Sequence, residues 1–335
     1  MITLSQFYES IFGTKTYKLS LDASCTCPNR DGSKGFGGCI FCSESGSGDF
    51  ASSRSLPIKE QVEKAKILVE SKLRGRSGKR KGKYIAYFQN FTSTYGDVKS
   101  LAQKYREALA CPDVAGLAIA TRPDCLGEEI LSEIARIAEE HFVQIELGLQ
   151  TSNEATGSLI NRCYTNDDYK DAVRRIRLAN PGIHIVTHLI FGLPGDNEED
   201  MIESVRFVVG ENLKNSSQSF GEHRELDYQK EKNLKMKSSV NSVPSVRNLK
   251  DLFGLKITVL YVVKNTRLAQ MYENGEVTPL SKEGYFDLLK KTVALLPDNC
   301  VIHRLTGDPP KNMLLAPLWT TDKKRLMNEL RQFLR

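Results

Sequence analysis

The chain has 335 residues, 40% of them hydrophobic and 26% charged, with a formal net charge of +6. That length can bury a large core, and the mild basic excess permits an anionic partner without requiring one. No run of 18 apolar residues occurs, and the N-terminal stretch lacks the basic and apolar regions of a secretory signal, so neither a membrane span nor export is expected. The expected compartment is the reducing cytoplasm, where clustered cysteines read as ligands or redox groups rather than disulfides.

Taken in chain order, short β-rich runs alternate with longer amphipathic ones. The expected strands are Thr16–Leu21, Tyr84–Asn90, Gly116–Ala120, Val143–Leu149, His184–Phe191 and Lys256–Val263. Several are almost continuously apolar or β-branched, as strands of a parallel sheet covered on both faces should be. Helical periodicity falls between them at Ile58–Leu73, Val98–Ala110, Glu128–Glu140, Asp167–Ala179 and Glu198–Val209, and after them at Ser281–Leu295 and Asp322–Leu334. Asp97, Asn166 and Asn197 stand where N-caps belong. Six βα units with right-handed crossovers predict an α/β fold, a barrel or partial barrel over residues 1–300 with a closing segment at 301–335. Two stretches break the rhythm: a basic loop at Gly75–Lys83, and the polar, aperiodic Glu211–Asp251, expected as a flexible insertion.

Four of the eight cysteines, Cys25, Cys27, Cys39 and Cys42, crowd into the loop after the first strand. The C-terminal ends of barrel strands are where such folds keep their chemistry. Cys39 and Cys42 form a C-x2-C turn, and Cys27 returns across an eleven-residue gap containing Gly32, Gly35, Gly37 and Gly38, which let the loop wrap a compact object. Four thiolates also suit zinc, but Cys25-x-Cys27 is too short for the usual half-site. An iron–sulfur cubane on Cys27, Cys39 and Cys42 is the favoured reading, and a zinc-stabilised nucleic-acid-binding protein without catalysis is the alternative. Three ligands would leave one iron open, where S-adenosylmethionine can chelate. The scattered Cys111, Cys125, Cys163 and Cys300 read as small buried hydrophobes.

Cys27-Pro-Asn-Arg-Asp-Gly32 followed by Gly37-Gly-Cys-Ile-Phe-Cys42 resembles the YhcC-like radical S-adenosylmethionine proteins, relatives of the catalytic subunit of Elongator. Further landmarks run along almost the whole chain: Tyr87–Tyr95, Thr121-Arg-Pro-Asp124, Glu146-Leu-Gly-Leu-Gln150, Gly192-Leu-Pro-Gly195, His303–Asp308 and Leu315–Trp319. The resemblance implies a partial (βα)6 TIM-like barrel and a 4Fe–4S cluster held by Cys27, Cys39 and Cys42, with S-adenosylmethionine as second cofactor. Such chemistry needs a low-potential electron donor of the flavodoxin or ferredoxin kind. The substrate is open, with RNA a candidate by analogy with Elongator. The sequence departs from the pattern at Cys25, an extra thiol, in the length of the 211–251 insertion, and at Thr258 and Tyr261, where the family carries histidines.

The strand ends offer a mixed set of partners for such a cofactor. Gln89 and its neighbours suit a zwitterion. Thr121 ends the third strand, and Arg122 either grips a carboxylate or pairs with Asp124. Glu146, flanked by apolar residues, is either a ligand group or one end of an internal ion pair. Gln150 suits ribose hydroxyls, and the Gly192–Gly195 turn suits close approach to adenine. His188 reads as a core histidine, and the polar cluster His303, Arg304, Asp308 and Lys311 as part of the segment closing the barrel mouth.

Overall fold

The structure, a computed structural model, describes residues 2–46, 51–73, 82–218 and 251–334. Most of the basic loop and of the polar insertion therefore lies outside the described residues. Strands β1 (Ile2–Thr3), β2 (Thr16–Leu21), β3 (Lys83–Phe88), β4 (Val114–Thr121), β5 (Phe142–Gln150), β6 (His184–Phe191), β7 (Phe253–Val259) and β9 (Cys300–Arg304) form one curled sheet in the order β1-β9-β7-β6-β5-β4-β3-β2. All its pairings are parallel. The six expected strands are β2 to β7, side by side in chain order, and they make the half-barrel.

Helices α1 (Leu4–Phe12), α2 (Ile58–Leu73), α3 (Val98–Leu109), α4 (Glu128–Glu140), α5 (Glu154–Leu159), α6 (Asn166–Ala179) and α7 (Glu198–Gln218) precede β7. Asp97 caps α3 through the Ser100 amide, as its position suggests. Asn197 accepts from the Glu199 and Asp200 amides at the start of α7. The cap of α6 is Thr165 rather than Asn166: Thr165 and Asp168 form a reciprocal capping box. Leu19, Leu21, Phe88, Leu117, Ile119, Ile145, Leu147, Leu189, Ile257 and Val259 face the outer helices in the main core. The opposite face looks into the lumen. There α1 plugs the N-terminal end, with Phe7 and Tyr8 packed on Ile85, Tyr87, Ala118 and Val301.

The C-terminal third differs from the periodicity reading. The expected strand Lys256–Val263 breaks at Leu260, and β8 (Val262–Val263) pairs antiparallel with β10 (Leu314–Ala316) instead. β9 enters the main sheet beside β7, so the expected boundary at residue 300 falls inside a strand that extends the barrel. α7 runs on to Gln218, into the stretch read as an insertion. Polar side chains hide that continuation from a hydrophobicity pattern: Asn212 is buried and donates to the Val208 carbonyl at 2.9 Å and to Tyr169 Oη at 3.3 Å. Three later helices, α8 (Arg267–Glu273), α9 (Lys282–Val293) and α10 (Lys323–Phe333), pack at this end.

Candidate functional site

The alternation of burial along the strands locates the opening. In β6 the outward residues are buried, whereas the inward His188 and Ile190 near its C-terminal end are half-buried. The same holds for Ser20 in β2, Ala120 in β4, Gly148 in β5, and Lys256 and Thr258 in β7. Inward residues nearer the N-terminal ends, such as Ile85, Gln144, His184 and Gly254, are buried. The lumen is closed below by α1 and open above, at the end where the βα loops gather.

The cysteine loop sits over this mouth. Gly32, Gly37 and Gly38 adopt φ of +90°, +78° and +77°, so they turn the loop where other residues would be strained. A Cβ on Gly35 would come within 2.3 Å of Asn29 Oδ1 and 3.0 Å of Cys163 Sγ. Asn161 ties the loop to the segment after α5, donating to the carbonyls of Phe36 at 3.1 Å and Gly38 at 2.8 Å. Arg30 holds the end of the loop through the carbonyls of Cys42 at 3.1 Å and Ser43 at 2.6 Å.

Cys27, Cys39 and Cys42 are in no disulfide and are partly exposed. They lie close enough to feel one another. Burial together with the Cys42 and Cys27 sulfurs pushes the Cys39 thiol up to about 12. Asn29 Nδ2 stands 3.7 Å from Cys39 Sγ, and Arg122 Nη1 stands 4.0 Å from Cys27 Sγ. Among the described residues, no three His, Cys, Asp or Glu side chains are grouped tightly enough to hold a single metal ion. Cys25 is separate: it is buried in the outer core, and burial pushes its thiol up to about 11.

Arg122 spans the loop and the barrel. It forms a two-pronged pair with Asp124, both contacts at 2.9 Å, and donates to the carbonyls of Arg162 at 3.1 Å and Cys163 at 3.2 Å. Of the two roles open to it, the structure shows the pair with Asp124. Lys34 adds a second cation to Asp124 at 2.6 Å. Arg162, fully buried, bonds the carbonyls of Leu149, Thr151 and Tyr164 at 3.0, 2.7 and 2.9 Å, fixing the chain after β5.

The other candidate residues occupy the rim in different ways. Gln89 is half-buried at the mouth, where Ser20 Oγ donates to its Oε1 at 3.2 Å. Thr121 faces the helices, not the lumen: its hydroxyl bonds Thr94 Oγ1 at 2.6 Å. Gln150 follows a bulge with φ of +71° and is half-buried. Gly192 and Gly195 turn with φ of +88° and +99°.

Glu146 is one end of an internal ion cluster on the lumen floor. Its Oε1 bonds Lys18 and accepts from Gln144 at 2.6 Å. Its Oε2 accepts from Tyr87 at 2.7 Å, meets His188 Nε2 at 2.6 Å and Lys256 Nζ at 3.3 Å. Burial works to raise its carboxyl, but Lys18, Lys256 and His188 hold it well below the usual carboxylate range. Burial drives the other way on the lysines, lowering Lys18 and taking Lys256 down to about 7. His188 is lowered to about 4, chiefly by burial and then by Lys256. Lys18, Lys256, Gln144 and the role of Tyr87 were missed from the sequence. The available signal was parity: Lys18 and Lys256 each interrupt a strand at an inward position.

Residues 27–208 match the Radical SAM superfamily and residues 253–335 the Radical_SAM C-terminal domain. The chain is similar to YtqA of Bacillus subtilis, 34% identical over 98% of this chain and 87% of that one. It is 28% identical to YhcC of Escherichia coli over 96% of this chain and 88% of the other. Part of it is 30% identical to a tRNA-2-methylthio-N(6)-dimethylallyladenosine synthase of Acetivibrio thermocellus, over 42% of this chain and 31% of that protein. Among solved structures, Methanocaldococcus infernus Elp3 superposes with a TM-score of 0.58 at 14% identity, covering 96% of this chain and 64% of that chain. The hydrogenase maturase HydG superposes at 0.53 and 10% identity, over 98% of this chain and 58% of that one. These likenesses at low identity speak for the fold; the sequence matches speak for descent. No described helix is long and apolar enough to cross a membrane. The chain belongs to the radical SAM superfamily.

Proposed function

We propose that this protein is a cytoplasmic enzyme that holds a 4Fe–4S cluster on Cys27, Cys39 and Cys42 and cleaves S-adenosylmethionine reductively. The observation that carries the reading is the trio of thiols outside any disulfide, with Cys39 within electrostatic reach of the other two, on a wrapped loop above an open barrel mouth. The donor set fits: three thiols leave one iron of a cubane without a protein ligand. A cluster held by these cysteines would supply the electron for reductive cleavage of the sulfonium bond, and with it the oxidising power for hydrogen abstraction from a substrate.

The chain's own residues hold and shield. Asn29 and Arg122 present N–H groups toward the Cys39 and Cys27 sulfurs, at 3.7 and 4.0 Å. Gln89 and Gln150 offer amides at the mouth for the polar ends of the cofactor, and the Gly192–Gly195 backbone approaches the adenine. Thr121 and Glu146, whose polar atoms bond within the chain, shape the wall and floor. A flavodoxin- or ferredoxin-like donor delivers the electron.

The test is anaerobic purification, iron and sulfide analysis, and assay of 5′-deoxyadenosine after reduction. Protein containing zinc in place of iron and sulfide would refute the proposal in favour of a zinc-stabilised nucleic-acid binder. An RNA substrate is the second reading, favoured by the partial likeness to a tRNA-modifying synthase. Stimulation of 5′-deoxyadenosine formation by tRNA would support it.

A further inference from the structure

The floor of the lumen carries an imbalance of charge. Lys18 and Lys256 both reach Glu146. Arg304 is the register partner of Lys256 on β9, and its charge acts on Lys18 and on Lys256 alike. Glu146 is the carboxylate that acts on these cations, and both its oxygens are already taken by Lys18, Gln144, Tyr87, His188 and Lys256.

The two lysine side chains are not fully covered. The Lys18 and Lys256 side chains are 19% and 16% exposed, whereas the Glu146 side chain is 0% exposed. The register sets Lys256 beside His188, on the half-buried stretch of the inner face toward the mouth. Holding excess positive charge out of water is costly, and the cost is relieved by a further anion.

We propose that the lumen floor is the substrate-recognition site, and that Lys18, Lys256 and Arg304 bind a terminal carboxylate or phosphate of a small substrate. This rests on the reading of the barrel as a radical SAM active site, since the group would anchor the substrate below the cysteine loop. A terminal anion on a slender molecule reaches the floor.

The probes are inorganic phosphate and malonate, titrated calorimetrically into the anaerobically purified full chain, with and without S-adenosylmethionine. Saturable binding of phosphate alone assigns a phosphate substrate, and of malonate alone a carboxylate. Lys18→Met and Lys256→Met should each weaken binding at least tenfold. Lys170→Met, at an exposed ion pair on α6, should leave it unchanged. A lowered thermal midpoint of Lys256→Met with unchanged anion binding would make Lys256 a mere counter-ion of Glu146 and overturn the proposal. Absence of saturable binding with either anion would overturn it, as would tighter binding of a single-stranded RNA oligomer that both lysine variants retain. Failure of S-adenosylmethionine cleavage with anion binding intact would count against the cluster chemistry and leave the anion site standing.

Discussion

Replacing Glu146 by glutamine keeps the shape of the side chain and removes its charge, leaving Lys18, Lys256 and Arg304 without their carboxylate. At the observed 3.3 Å, the gross attraction between Glu146 and Lys256 alone is about 5 kcal/mol for an effective dielectric constant of 20. Desolvation of the carboxylate offsets part of this, and the lysines can shed protons. Removing one partner of a buried ion pair typically costs about 3–5 kcal/mol. Glu146→Gln is therefore expected to lose roughly 3 kcal/mol at pH 7. The folded-state pKa of Glu146 is depressed, so its contribution is present above the unfolded value and lost as pH falls through the folded one. The gap between wild type and variant should be full near pH 6–7 and close in strong acid. Urea unfolding followed by far-UV circular dichroism across this range measures it, with the slope checked for constancy. A deficit under about 1 kcal/mol, far below the cost of an uncompensated buried charge, or a gap indifferent to pH would refute the ion-cluster reasoning.

Replacing Cys27, Cys39 or Cys42 by Ala should abolish iron retention and 5′-deoxyadenosine formation, while Cys25→Ala keeps both; iron loss from the Cys25 variant alone would reverse the assignment. Gly192→Val should strain its turn, since φ is +88° and a Cβ there would stand 3.0 Å from Leu280 Cγ. The expected cost is about 1–3 kcal/mol of stability, read by thermal melting, alongside any change in S-adenosylmethionine affinity. His188 is held near 4, below its unfolded value of 6.5, so its neutral form stabilises the fold. That stability falls as pH drops from 6.5 toward 4, by roughly 3 kcal/mol. His188→Asn should flatten that part of the pH–stability curve. Arg162→Met strands three buried carbonyls and should cost at least about 3 kcal/mol in a melt.

The half-barrel was legible because short β-rich runs alternate with helical periodicity from β2 to β7, and such units have few ways to assemble. The cysteine loop was legible because thiols, glycines and a Cys-x2-Cys turn are local in sequence. Three other features depended on contacts far apart in the chain. β9 reads as an isolated short run, and only its register against β7 makes it part of the barrel. The continuation of α7 is held by Asn212, whose amide donates across to Tyr169 on α6 as well as to its own helix. Thr121 and Arg122 are neighbours in one motif, yet strand pleating sends Thr121 to the helices and Arg122 toward the cysteine loop. Glu146 announced a need for partners but could not name them. Lys18, Tyr87, His188 and Lys256 come from four other strands, and it is the closing of the sheet that gathers their charges around one buried carboxylate.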